Sequence, residues 1–281
     1  RLEDPKIIRN QIKKGIKNNK FIEIPSRAKA ILMAVDRLDS GDVLIVAGKG
    51  HENYQEYKKR NFFSDKNQIL KAINKKNLTL SKSIKKNILC ETLKNNFLKK
   101  NNFINLASIN SKKINKNSIF IGVKGKKFDG NLYAYDAIRN GAILSLSNIK
   151  YKNSKIKFYQ NPLNIFHKLS SIYRKCLNAN NIAITGSAGK TSVKELTGFC
   201  LSKLANSYFS KNSFNNKFGV PLSIFNTPEG SKFVILEVGM DKKGEIDYLT
   251  KLIKPNLGLI TNISYAHIEN FKNLKQIAKA K

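Results

Sequence analysis

The sequence predicts a multidomain α/β protein, and three observations carry that expectation. Short apolar runs of strand length, at residues 43–47, 119–123, 142–146, 182–185, 233–238 and 257–262, alternate with segments at helical spacing. One stretch, NIAITGSAGKTSVKE from Asn181 to Glu195, passes from a strand through a glycine-bearing loop into a helix. Residues 75–86 are rich in Lys, Ser and Asn with little apolar content, the composition of a boundary. At 281 residues the chain has room for about two domains, or three small ones.

Taken in order, residues 5–18 carry apolar side chains at 7, 8, 12 and 16, a short amphipathic helix with Gly15 near its end. Ser26 is placed to cap a second helix with Ala28, Ile31, Leu32, Val35 and Leu38 at helical spacing. Ser40-Gly41-Asp42 then turns the chain into a buried strand at 43–47, followed by the polar loop Gly48-Lys49-Gly50-His51-Glu52. Ligands of open α/β sheets sit at the carboxyl ends of strands, so this loop is a candidate site; an ordinary solvated turn is the competing reading. A helix at 67–74 closes the first unit, and residues 76–82 read as a linker. The second unit, 83–178, carries a helix at 88–98, the strands at 119–123 and 142–146, a loop at 125–130, a helix near 133–140, and an amphipathic helix at 161–177. The third, 179–281, begins with the strand–loop–helix and ends in a helical run from Leu274. A chain that opens on Arg1 and stops inside a helix is expected to be part of a longer polypeptide.

The strand–loop–helix carries the chemistry. A loop that breaks from a strand and enters a helix points several backbone N–H groups at one spot, and the helix dipole adds partial positive charge there. Gly186, Ser187, Ala188, Gly189, Lys190, Thr191 and Ser192 form such a phosphate loop, in which Lys190 brings a full charge to the outer phosphates and the Thr191 hydroxyl suits Mg²⁺. Ile184 stands where the longer Gly-x-x-x-x-Gly-Lys pattern has its first glycine, so the match is to the shorter form. A chance Gly-Lys-Thr turn is the alternative. Glu237, at the end of the apolar run 233–238, is a candidate second Mg²⁺ ligand because that ion prefers hard oxygen donors; an ion pair with Lys242 or Lys243 is its plain alternative. His267 follows the run 257–262, as a structural histidine or as a ligand.

The formal charge of +33 invites a nucleic-acid reading. Only seven of the 52 basic residues are Arg, and the lysines are dispersed among asparagines, whereas a reading face favours clustered Arg with aromatics. A nucleic-acid partner is therefore not expected. Hydrophobic content of 41% is enough for real cores. Cys90, Cys176 and Cys200 are too scattered for a metal cluster or disulfide framework and are expected as buried thiols. With no apolar run of 18 residues and no signal peptide, membrane insertion is not expected and a cytoplasmic location is.

Several blocks resemble the Mur ligase family. SRAKAI, DVLIVAGKGHENYQ and FFSD are similar to the C-terminal domain of the diaminopimelate-adding members, a Rossmann-like domain. The resemblance implies that Gly48 and Glu52 contact meso-diaminopimelate and that Arg1, in RLEDP, grips one of its carboxylates. INSKKINKNSIFIGVKGKKFDGNLYAYDAIRNGA resembles the small α/β N-terminal domain of the D-alanyl-D-alanine-adding members, with Asn110-Ser111-Lys112 where Asp-Ser-Arg is usual. That likeness implies binding of the UDP-sugar-peptide through Ser111, Phe128, Asp129 and Gly130. TGSAGKTSVKE, NSFNNKFGVPLSIFNTPEG and the run from LEVGMDKKGEIDYL to the end follow the P-loop central ATPase domain of the same members, here incomplete. It implies that Lys190 binds ATP phosphates, that Glu237 and His267 serve Mg²⁺, and that Lys281 is the lysine the family carbamylates. The implied reaction passes the ATP γ-phosphate to the carboxylate of UDP-MurNAc-tripeptide, and the amine of D-alanyl-D-alanine displaces phosphate from the acyl phosphate. The expected architecture is thus a fusion of the end of one ligase, 1–75, with the start of the next. A folylpolyglutamate synthase-like ligase, a nucleic-acid-dependent ATPase and a non-catalytic interaction protein are the alternatives.

Overall fold

The computed structural model describes residues 4–16, 21–39, 41–48, 54–57, 59–94, 103–125, 128–210, 213–265 and 270–281. The chain divides into two compact units, Arg1–Leu78 and Thr79–Lys281.

In the first unit, α1 (Pro5–Gly15) starts on Pro5, with the Asp4 side chain accepting from Lys6 N. Ser26 caps α2 (Arg27–Arg37) as expected, its hydroxyl accepting from Lys29 N. β1 (Tyr54–Tyr57) and β2 (Lys59–Phe62) pair antiparallel, a hairpin that no sequence signal announced. Ile31, Val35 and Ala72 form the core, joined by Leu44, Val46 and Ile69. Arg27 makes a two-pronged ion pair with Asp65, at 2.6 and 2.8 Å, and donates to Ala47 O at 2.9 Å. The expected strand at 43–47 joins no sheet among the described residues. Leu44 and Val46 face the core while Val43 and Ile45 face out, so the run is half-buried rather than buried.

The expected helix at 67–74, linker at 76–82 and helix at 88–98 are all met by one element, α3 (Asp65–Thr92), and residues 95–98 lie outside the described ones. The division between the units falls inside the same 76–82 stretch. On this helix Ser81, Lys85, Ile88 and Leu89 are buried, a stripe at 3.6-residue spacing that includes a Ser and a Lys.

The second unit holds two parallel sheets. In the first, β3 (Ala107–Ser108), β4 (Ser118–Ile121), β5 (Ala142–Ser147) and β6 (Ile156–Phe158) lie in chain order. Its turns include 3-10 helices at Ser111–Lys113 and Gly130–Tyr133, the latter running into α4 (Ala134–Arg139). The amphipathic α5 (Pro162–Cys176) starts on a Pro at N1 with Asn161 as its cap. Its Phe166, Leu169 and Tyr173 pack into one core with Ile119, Ile121, Leu144 and Leu146.

The second sheet takes the order β10-β7-β9-β8, with β7 (Asn180–Thr185) leading into α6 (Lys190–Leu204), then β8 (Ser207–Phe209), α7 (Gly219–Asn226), β9 (Phe233–Glu237), α8 (Glu245–Ile253), β10 (Leu257–Ile260) and α9 (Leu274–Ala280). All its strand pairs are parallel, so β7, β9 and β10 present their carboxyl ends at one edge. The strand expected to be buried at 257–262 is β10 at the sheet edge, with Leu257 and Ile260 about half exposed. Cys176 and Cys200 are exposed and Cys90 is partly buried, against the expectation of three buried thiols. No described helix is long and apolar enough to cross a membrane.

Candidate nucleotide and metal site

Parallel pairing of β7 with β9 sets Ile184 beside Glu237, so the loop after β7 and the carboxylate ending β9 meet by register. The loop then needs backbone shapes that glycine supplies. Gly186 has φ +149°, and a Cβ there would stand 1.9 Å from Thr261 Oγ1. Gly189, at φ +76°, is the left-handed residue that starts α6, with open space where its Cβ would be. No side chain caps α6, which leaves its first-turn amides directed at that space, with the helix dipole behind them.

Glu237 is 1% exposed, and both carboxylate oxygens are held by neutral donors. Thr191 Oγ1 donates to Oε2 at 2.7 Å, and Asn215 Nδ2 donates to Oε1 at 2.7 Å. These partners replace the ion pair with Lys242 or Lys243 that the sequence left open. A buried carboxylate beside a hydroxyl at a helix start is an all-oxygen donor set, which fits Mg²⁺ better than a soft metal. Thr191 and Glu237 are thus the described residues able to hold that ion. His267, the third expected ligand, lies outside the described residues.

Lys190 Nζ folds back on the loop, donating to Gly186 O at 2.7 Å and Ser187 O at 3.1 Å. Lys281 Nζ, arriving from the end of α9, donates to the same Gly186 O at 2.8 Å. Two ammonium groups therefore crowd one carbonyl. Burial, and then the charge of Lys190, hold the Lys281 amine below the ordinary lysine range.

The segment after β10 straps this loop. Thr261 Oγ1 donates to Ala188 O at 2.6 Å, Asn262 Oδ1 accepts from Ala188 N at 2.9 Å, and Ser187 Oγ donates to Ser264 O at 3.0 Å. Asn215, Thr261, Asn262 and Ser264 were missed by sequence reasoning, since polar residues 20 or more positions away leave no local periodic signal.

Within the second unit, Ser111 and the Asp129–Gly130 pair make their hydrogen bonds outside this cluster. Ser111 lies in its 3-10 turn, its carbonyl accepting from Asn140 Nδ2 at 2.9 Å. Phe128 is 73% exposed, and Gly130 N donates to Val123 O at 2.9 Å. Asp129 accepts from Asn131 N and Nδ2 at 2.9 and 2.7 Å, and these hydrogen bonds hold its carboxyl below the usual carboxylate range. In the first unit Gly48 sits at φ +100°, while Arg1 and Glu52 lie outside the described residues.

Residues 184–281 match the Mur ligase middle domain. Over 181 residues the chain is 39% identical to the UDP-N-acetylmuramoyl-tripeptide--D-alanyl-D-alanine ligase of Buchnera aphidicola subsp. Baizongia pistaciae, covering 63% of this chain and 39% of that protein. The ligase of the same name from Haemophilus influenzae is 36% identical over 59% of this chain and 37% of its own. The chain thus spans about two fifths of the length of the curated relatives it matches. Among solved structures it is similar to MurF from Acinetobacter baumannii, with TM-score 0.63 and 25% identity over 69% of this chain and 44% of that one. It is also similar to the MurF ligase from Thermotoga maritima in complex with ADP, with TM-score 0.57 and 28% identity over 62% and 41%.

Proposed function

We propose that residues 83–281 are the N-terminal and central parts of a Mur ligase that joins D-alanyl-D-alanine to UDP-MurNAc-tripeptide at the expense of ATP in the cytoplasm. Residues 1–75, in the same proposal, are the end of a diaminopimelate-adding ligase, the preceding enzyme of that route. The observation that carries the reading is the Thr191–Glu237 pair beside the uncapped start of α6. The similarity to D-alanyl-D-alanine-adding ligases on both sides of residue 179 supports it, and so does the ADP complex of a relative.

The chain's own residues have definite tasks in this reading. The first-turn amides of α6 and Lys190 hold the phosphate oxygens, Lys190 leaving the carbonyls of Gly186 and Ser187 for the nucleotide. Thr191 and Glu237 hold Mg²⁺, which when bound offsets negative charge on the phosphates. Ser111 and the Phe128–Gly130 loop contact the UDP-sugar-peptide. Burial and then Lys190 hold the Lys281 amine below the ordinary lysine range, which favours the free amine that carbamylation needs. Its nitrogen attacks the carbon of CO₂, an N–C bond forms as one C=O π bond opens onto oxygen, and a proton leaves the nitrogen to solvent. The anionic carbamate then faces Lys190 as a counter-charge where an ammonium had repelled it.

The test is ADP titration into the chain in the presence of Mg²⁺. Charge-assisted hydrogen bonds contribute about 1.5–3 kcal/mol each, so Lys190→Ala is expected to weaken ADP about 10- to 100-fold. Unchanged affinity in that variant would remove the phosphate-loop assignment.

A further inference from the structure

The turn between β8 and α7 reaches the Glu237 carboxylate through Asn215, and a side chain from α5 holds that turn. His167 is 8% exposed. Its Nε2 lies 2.8 Å from Lys217 O, and its Nδ1 hydrogen-bonds the Tyr248 hydroxyl on α8. The two rings are tilted by 51° with centroids 5.6 Å apart. A backbone carbonyl can only accept, so Nε2 carries a proton, and in the neutral ring Nδ1 accepts from the Tyr248 hydroxyl. Burial holds the imidazole below its ordinary range, which favours that neutral form, and both ring nitrogens are used.

What His167 grips is the segment that touches the metal corner. Two residues before Lys217, Asn215 donates to Glu237 Oε1 at 2.7 Å and accepts from Gly239 N at 2.7 Å. Between them, Asn216 Oδ1 accepts from Phe218 N and Gly219 N, both at 3.0 Å. Gly219 also packs tightly on the turn, since a Cβ there would stand 2.5 Å from Phe214 Cα. Residues 214–219 therefore pack with little slack. A shift of Lys217 O would pass along this short segment to Asn215, whose Nδ2 holds Glu237 Oε1 opposite the oxygen that Thr191 holds.

We propose that His167 is a positioning residue for the Thr191–Glu237 metal corner, acting through Lys217 O and Asn215. This rests on the reading of that corner as a Mg²⁺-nucleotide site. His167 touches neither the nucleotide nor the metal, so its effect is confined to the part of nucleotide binding that depends on Mg²⁺.

The experiment titrates ADP into the whole chain with excess Mg²⁺ and again with EDTA, and takes the ratio of the two affinities. Partners behind metal ligands typically change metal affinity by about 10- to 100-fold. His167→Phe is expected to cut the Mg²⁺-dependent gain by about tenfold, with affinity in EDTA unchanged. His167→Gln, whose side-chain amide can donate to Lys217 O, is expected to recover most of the gain. A merely structural histidine would lower both affinities together and the thermal midpoint with them, and that pattern would overturn the proposal. So would an intact Mg²⁺ gain in His167→Phe. A wild-type chain that binds ADP without any Mg²⁺ gain would overturn the metal-corner reading itself, a result distinct from failure in the variant alone.

Discussion

Replacing Thr191 by Val removes one hydroxyl and little else. The side chain stays β-branched at the second helical position of α6, so rotamer restriction and helix propensity barely change. What is lost is the 2.7 Å hydrogen bond to Glu237 Oε2, and the carboxylate that loses it is 1% exposed. A hydrogen bond to a charged group contributes about 1.5–3 kcal/mol, and removing one partner leaves the other buried and undersatisfied. For a unit of this size about 1 kcal/mol shifts the thermal midpoint by about 2–4 °C. Thr191→Val should therefore lower the midpoint of the Thr79–Lys281 unit by about 3–12 °C, read by scanning calorimetry near pH 8 with EDTA present. Thr191→Ser, which restores the hydroxyl, should regain most of that shift. A change below about 1 °C in Thr191→Val, or a Ser variant no better than Val, would refute the claim that Thr191 holds the Glu237 carboxylate.

Three further outcomes follow from the same geometry. Gly186→Ala should cost about 2–4 kcal/mol, because the new methyl meets Thr261 Oγ1 and displaces it from Ala188 O, whereas Gly189→Ala, strained but open, should cost only about 1–2 kcal/mol; paired calorimetric scans compare them. Lys85, 2% exposed over the Tyr173 and Phe225 rings, has its amine pushed down to about 7 by burial. Between that value and the ordinary lysine range the unfolded chain binds the extra proton, so stability rises with pH through this window, and Lys85→Met should flatten the rise in midpoint measured from pH 7 to 10. Asp129→Ala removes the cap of the Gly130–Tyr133 turn, for about 1 kcal/mol, and should weaken UDP-MurNAc-tripeptide binding in calorimetric titration while leaving ADP affinity unchanged.

Where one segment's own pattern decided its structure, the sequence was legible. The strand, glycine loop and helix from Asn181 to Glu195 appear in that order, Ser26 caps α2, and α5 runs from Pro162 to Cys176 on its apolar stripe. α3 was misread because part of its buried stripe is Ser81 and Lys85, which a reading by hydrophobicity counts as solvent-facing. The opposite difficulty hid α7: its residues from Gly219 to Phe225 are all buried, so no amphipathic period exists to find. At the candidate site, the nearness of Lys190, Thr191 and Glu237 was legible because each lies at a strand end or helix start beside the loop. Asn215 and Thr261 were not, because their roles come from register and from turns that close only once the sheet has formed.

The most direct measurement is phosphate release by the complete reading frame supplied with ATP, Mg²⁺ and UDP-MurNAc-tripeptide, with and without D-alanyl-D-alanine. Release is expected to require the dipeptide and to be abolished by Lys190→Ala. Release indifferent to the dipeptide and raised by added nucleic acid would contradict that expectation, and the charge of +33 would then become the leading clue.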